Sequence, residues 1–217
     1  MIRTSVIPSI ASGATRVLTL DCITEGLATQ GWSVTPQFAS ADLVRALGEE
    51  ARTLLDAGAM RPAGVGTGQS ARIEPSVRGD QILWLDPLTA TPSQWECLVG
   101  FEALRQTLNR ELQLGLFEFE GHFAAYLPGA SYGRHRDLPA CSQSRVVSCV
   151  LYLNHDWCAE DGGQLRLYLD ESGEENHRDV FPQGGTLVSF LSQRFWHEVL
   201  PATRSRLSLT GWFRRRA

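Results

Sequence analysis

The apolar positions of the chain recur with a helical period in its first half and a strand period in its second. Ser40 and Asp42 stand where a helix N-cap is wanted. Leu43, Val44, Leu47, Leu54 and Leu55 then fall on one face of a helix that stops near Gly58. A second amphipathic run covers about 93–112, with Trp95, Leu98, Leu104 and Leu108 as its apolar stripe. A shorter helix over 20–29 and a strand at Trp32–Val34 precede both, and Gln81–Leu85 reads as a strand between them. From about residue 116, short runs rich in Val, Leu, Phe, Tyr and Trp alternate with Gly, Pro, Asp and Ser breaks. They predict strands near 117–126, 131–136, 145–154, 164–169, 178–181, 186–191, 195–200 and 205–213. The expected fold is α+β: a small barrel or two-sheet jelly roll supported by N-terminal helices. Residues 1–15 read as a loose arm, and 16–217 as one domain, helical support over about 16–115 and jelly-roll core over about 116–213.

Composition removes several classes of chemistry. All 20 basic side chains are arginine, so lysine-dependent phosphate loops, protein-kinase sites and Schiff-base mechanisms are excluded. A net charge of -4 argues against a nucleic-acid partner held by bulk electrostatics. No apolar run of about 18 residues is present, and Pro8 interrupts the start, so neither a membrane partner nor a secretory leader is expected and the location reads as cytoplasmic. Five cysteines, widely spaced and without a CxxC pair, read as reduced thiols. The Gly64–Gly68 stretch reads as mobile loop, and the Arg214–Arg216 tail as a solvated end.

The candidate chemistry begins with His135-Arg136-Asp137. On a strand, side chains at i and i+2 share a face, so this imidazole and carboxylate can reach one point. His197, within Phe195–Val199, supplies a second imidazole. Two histidines and a carboxylate form the facial set of non-haem Fe(II) sites, although such a pattern also arises by chance. Arg206 then opens a run alternating Arg206, Ser208, Thr210 and Trp212 on one face with Leu207, Leu209, Gly211 and Phe213 on the other. A guanidinium on a polar inward face beside a metal-binding strand needs an anion, best a carboxylate. Ser148, Val150 and Tyr152 share another face, where a phenol is placed to bond a carboxylate near the metal. His122 shares a face with Tyr126, while His155 and His177 read as solvated loop residues.

At these residues the chain resembles the 2-oxoglutarate and Fe(II)-dependent dioxygenases, specifically the prolyl 4-hydroxylases of the oxygen-sensing type and their bacterial relatives. The resemblance is carried by Tyr126-x-Pro128-Gly129 through His135-x-Asp137, Leu151–Trp157, Gly162-Gly163-x-Leu165-Arg166, His197-Glu198-Val199-x-Pro201 and Arg206 through Phe213. A weaker match covers Val77–Trp84. It implies a double-stranded β-helix with His135, Asp137 and His197 as iron ligands and Arg206 as the anchor of the distal 2-oxoglutarate carboxylate, assisted by Tyr152. Tyr126, Thr210 and Ser148 would complete the cosubstrate pocket; Trp212, Arg145, Arg78 and Tyr132 would face the substrate. It further implies O2 as co-reactant, ascorbate as reductant, release of succinate and CO2, and a monomer that hydroxylates C4 of a prolyl residue in a protein, a translation elongation factor being a candidate. Ser148 stands where threonine is frequent, and the acidic Asp170–Asp179 segment differs from the animal enzymes, so their partners are not carried over.

Rival readings meet specific residues. A radical halogenase lacks the carboxylate that Asp137 provides, and nucleic-acid demethylases carry a second arginine where Trp212 stands. Collagen-type and jumonji enzymes anchor the cosubstrate with lysine, absent here, and a zinc hydrolase leaves Arg206 without a purpose. A free amino acid or other small molecule remains an alternative substrate, and a non-catalytic binding module an alternative function. The Gly-rich Arg61–Asp80 segment is expected to be a lid over the substrate.

Overall fold

The computed structural model describes residues 13–64, 72–137, 144–170 and 176–216. Helix α1 (Gly13–Thr29) leads through β1 (Trp32–Thr35) to α2 (Ala41–Asp56), which Ser40 caps by accepting from the Leu43 N–H at 3.2 Å. The short β2 (Arg61–Pro62) and β3 (Asp80–Trp84) follow, and then α3 (Pro92–Leu112), capped by Thr91 with proline in its first turn. The remaining chain is strand: β4 (Glu118–Tyr126), β5 (Tyr132–His135), β6 (Arg145–Tyr152), β7 (Leu165–Tyr168), β8 (His177–Val180), β9 (Leu187–Leu191), β10 (His197–Val199) and β11 (Arg206–Arg214).

These strands form two antiparallel sheets, one ordered β1-β9-β6-β11-β4-β3-β2 and the other β5-β10-β7-β8. Strict alternation builds two cores from the larger sheet. Phe123 and Ala125, Val147, Cys149 and Leu151, and Leu207, Leu209 and Phe213 face outward onto Ile23, Leu47, Phe101, Leu104 and Leu108 of the helices. Ala124, Tyr126, Val150, Tyr152, Val188 and Phe190 face inward onto Leu165, Leu167 and Val199 of the smaller sheet. The fold is therefore the expected α+β jelly roll, with helices covering one face of the larger sheet.

Several expectations need correction. Helix α1 begins at Gly13, inside the segment read as a loose arm. On α3 the buried positions are Gln94, Cys97, Phe101, Leu104, Thr107 and Leu108, whereas Trp95 is 55% exposed, so the stripe is rotated by one position at its start. His177 lies in β8 rather than a loop, half-buried beside Asp179. The terminal arginines are not loose: Arg214 pairs with Glu120 at 2.7 Å, Arg215 donates to the Leu114 carbonyl at 2.6 Å, and Arg216 lies 4.1 Å over the Phe117 ring. The centre of the expected lid, 65–71, lies outside the described residues. No described helix is long and apolar enough to cross a membrane.

Candidate active site

β5 and β10 are antiparallel neighbours, and their register sets His135 directly opposite His197. Asp137 stands just beyond the end of β5, not within it as predicted, yet it still reaches the same point. Its Oδ1 is 3.8 Å from His135 Nε2 and its Oδ2 is 3.6 Å from His197 Nε2. All three ligand atoms lie within 4.8 Å of one another.

Backbone carbonyls orient both imidazoles. His135 Nδ1 is 2.8 Å from the Gly133 oxygen, and His197 Nδ1 is 3.3 Å from that of Phe195. A carbonyl only accepts, so each Nδ1 carries the proton and each Nε2 offers its lone pair toward Asp137. Burial, reinforced by His197, pushes the His135 imidazole down to about 3, which keeps it neutral and ready to ligate. Burial alone would raise the Asp137 carboxyl. His197, His135 and a 2.7 Å bond from the Ser148 hydroxyl outweigh it and hold the group below its ordinary value. Two imidazoles and a carboxylate, about 2 Å from one ion, would stand at most about 4 Å apart, so this donor set fits a single Fe(II) after a small contraction.

The inward face of β11 continues the site. Arg206, 1% exposed, donates from Nε to the Gly163 carbonyl at 2.9 Å, and its guanidinium lies 5.1 Å from both the Tyr126 and Tyr152 rings. Its Nη2 has no partner, and neither does the buried Tyr152 hydroxyl. Two orphaned donors on one inner face, one of them cationic, fit an anion that accepts from both. Burial raises Tyr152 to about 12 despite the opposing Arg206 charge, so the phenol keeps its proton to donate. Gly163 makes the approach possible: at φ +70° a Cβ there would stand 3.3 Å from Arg206 Cδ and 3.0 Å from Ala202 Cβ. Thr210, on the same face, pairs with the Ser208 hydroxyl at 3.2 Å.

The residues expected at the substrate side also gather here. Tyr132 stacks on His135 at 3.6 Å between ring centroids and carries the Arg78 guanidinium 4.7 Å above its own ring. Arg78 makes two bonds to the buried Asp80, at 2.7 and 3.0 Å. Arg145 lies 3.5 Å over the Trp212 ring and bonds Glu120 at 2.9 Å. Sequence reasoning missed Asp80, Glu120, the Gly163 carbonyl and Ser192, whose hydroxyl lies 2.9 Å behind that of Ser148. Asp80 stands two residues from Arg78, whereas the fold brings in the other three from 25 to 44 residues away. His155 is exposed, as expected.

A jelly roll whose open end holds two histidines, a carboxylate and a buried unpaired arginine defines a mononuclear non-haem iron oxygenase class that takes an acidic cosubstrate. Comparison with known proteins narrows it. Residues 121–214 match the 2OG-Fe(II) oxygenase superfamily. A prolyl-4-hydroxylase of Pseudomonas putida, known from a crystal structure, is 47% identical with a TM-score of 0.81, over 91% of this chain and 100% of that one. Mouse Egl nine homolog 1 is 30% identical over 205 residues, 90% of this chain but 50% of its own length, so the chain spans about half of that curated relative. A Trichoplax adhaerens prolyl hydroxylase, solved with a hypoxia-inducible-factor peptide fragment, superposes with a TM-score of 0.81 at 24% identity, over 93% of this chain and 91% of that one, which shows the shared fold. The chain belongs to the 2-oxoglutarate and Fe(II)-dependent oxygenase family, on its prolyl-hydroxylase branch. Fe(II), 2-oxoglutarate and O2 are the cofactor and co-reactants that membership entails.

Proposed function

We propose that this protein hydroxylates a prolyl residue within a protein, consuming 2-oxoglutarate and O2 and releasing succinate and CO2. The observation that carries the reading is the pair of unpartnered buried donors, Arg206 Nη2 and Tyr152 Oη, on the sheet face that also lines the His135–Asp137–His197 cluster. His135, Asp137 and His197 hold the metal, which supplies oxygen activation driven by oxidative decarboxylation of the cosubstrate. Arg206 and Tyr152 grip the distal carboxylate of 2-oxoglutarate, while Tyr126, Thr210 and Ser148 line its pocket. The walls exclude water, so the guanidinium–carboxylate pair gains strength from the low local dielectric. Ser148 holds Asp137 in its ligating orientation, and Ser192 backs Ser148.

Arg78, Tyr132, Arg145 and Trp212 form the substrate side. Both of its guanidiniums are already paired, Arg78 with Asp80 and Arg145 with Glu120, which Arg214 shares while also reaching Glu118. Among the described residues, neither of these guanidiniums is left free for the carboxylate of a free amino acid, which favours a proline embedded in a chain. The 47% identical Pseudomonas putida prolyl-4-hydroxylase supports the same residue type. We take the enzyme to be a cytoplasmic monomer, ascorbate to be its reductant and a translation elongation factor to be its candidate substrate. The test is a mass-spectrometric search of cell lysate incubated with the protein, Fe(II) and 2-oxoglutarate. Prolyl peptides heavier by one oxygen atom, absent when 2-oxoglutarate is withheld, are expected; their absence, with free proline oxidised instead, overturns the reading.

A further inference from the structure

His122, on β4, is a buried polar group that the site described above leaves unused. It is 1% exposed, and neither Nδ1 nor Nε2 has a hydrogen-bond partner. A neutral imidazole carries one donor and one acceptor, and leaving both unmet in a protein interior is costly. Its position is not incidental: it faces inward on the same side as Tyr126, and its cross-strand partners are Thr210 on β11 and Trp84 on β3. The ring lies 4.8 Å from that of Trp84 and 5.4 Å from that of Trp212, so the three rings form one cluster.

The two tryptophans differ in freedom. Trp212 is 5% exposed and lies beneath the Arg145 guanidinium at 3.5 Å. Trp84 is 50% exposed at the end of β3, so of the two rings against His122 it is the one a ligand could displace without opening the core. A ligand that displaces Trp84 meets a donor and an acceptor on one flat ring, bordered by an indole on which an apolar ring can rest. Burial, together with the Arg78 and Arg145 charges, pushes the His122 imidazole down to about 3, so it offers both functions at neutral pH. The two ring nitrogens point away from each other, so no single amide bonds both; a peptide backbone, which carries C=O and N–H groups on successive amides, is the matching chemistry, and a lone carboxylate would meet only the donor.

We propose that His122 binds the main chain of the substrate next to the target proline, with Trp84 swinging aside to admit it. The inference rests on the hydroxylase reading and adds the group that distinguishes a peptide from a free amino acid. The imidazole of neutral His122 donates from one nitrogen to a peptide carbonyl and accepts at the other from the N–H of a different peptide group.

Two measurements test it. Kinetically, His122→Phe keeps the aromatic cluster and removes both polar atoms, so the KM for a prolyl peptide should rise roughly tenfold while the KM for 2-oxoglutarate stays constant. His122→Gln, which restores a donor and an acceptor, should recover part of the loss. An unchanged peptide KM in His122→Phe would make His122 a packing residue, and a parallel rise in the KM for 2-oxoglutarate would move it to the cosubstrate pocket; either overturns the inference. Without metal or turnover, the imidazole 15N resonances of His122 in the labelled protein should shift on adding an acetylated and amidated Ala-Pro-Ala peptide, and stay still with free proline. No shift with the peptide, or an equal shift with proline, contradicts the assignment. A shift without any hydroxylated product would leave the amide subsite standing and refute the hydroxylase reading instead.

Discussion

Arg206 is fixed at one end of its guanidinium and open at the other, and this asymmetry defines its task. Nε is held by the Gly163 carbonyl, so Nη2 projects without the freedom that a lysine ammonium would have. Arg206→Lys should therefore weaken 2-oxoglutarate binding by roughly 1–3 kcal/mol, read by calorimetric titration of the metal-loaded protein. Unchanged affinity would mean that the anchor lies elsewhere. Ser148 is tested through metal binding: Ser148→Ala frees the Asp137 carboxylate, and Fe(II) affinity should fall about tenfold, with Ser148→Thr close to the parent. These side chains were legible in the sequence because His-x-Asp and the alternation after Arg206 are local patterns that one strand geometry translates into position. Their partners were not. Glu120, Gly163 and Ser192 are joined to Arg145, Arg206 and Ser148 by loop closure or strand register, which no local spacing encodes; Asp80 is only two residues from Arg78, but nothing in that spacing says that the two side chains pair.

Among the elements, β11 and α3 illustrate what periodicity does and does not specify. In β11 the two faces differ sharply in polarity, and a period of two leaves one consistent solution, Arg206, Ser208, Thr210 and Trp212 inward. In α3 several apolar residues compete for the buried face. Trp95 and Leu98 predicted one stripe, but the helix turns Cys97 and Phe101 inward because Phe101 stacks on Phe119 at 4.1 Å. That stack in turn needs room over Gly121 and Gly211, which face each other across β4 and β11; a Cβ on either would collide with the Phe119 ring. Phe101→Ala should cost about 3–5 kcal/mol in denaturant unfolding, whereas Trp95→Ala should stay within about 0.5 kcal/mol. The reverse order would restore the stripe first read from the sequence. The short β8 escaped its exact bounds for a related reason: four residues with two charges carry little apolar signal, and the Arg166–Asp179 pair across β7 gives it its place.

For the whole molecule, the jelly roll joins stability to the chemistry of its open end. His122 and His135 are both held down to about 3 in the folded protein, whereas in the unfolded chain they titrate near 6.5. Below about pH 6.5 the unfolded chain takes up protons that the folded one refuses. Stability is therefore full above that pH and declines as pH falls toward 3, by about 1.4 kcal/mol per pH unit for each histidine. Thermal unfolding of the metal-free protein should show this decline, and His122→Phe should flatten it; a midpoint independent of pH over that window would contradict these burial effects. In the proposed reaction the His135–Asp137–His197 cluster and Arg206 act together to place one atom of dioxygen on a protein-bound proline. The most direct measurement is to run the reaction under 18O2 with Fe(II), 2-oxoglutarate and the substrate protein, and to locate the label by peptide mass spectrometry. One 18O atom on a prolyl residue, succinate formed in equal amount, and loss of both products in His135→Ala are expected. Unlabelled hydroxyproline, label on another residue type, or full activity in His135→Ala would contradict it.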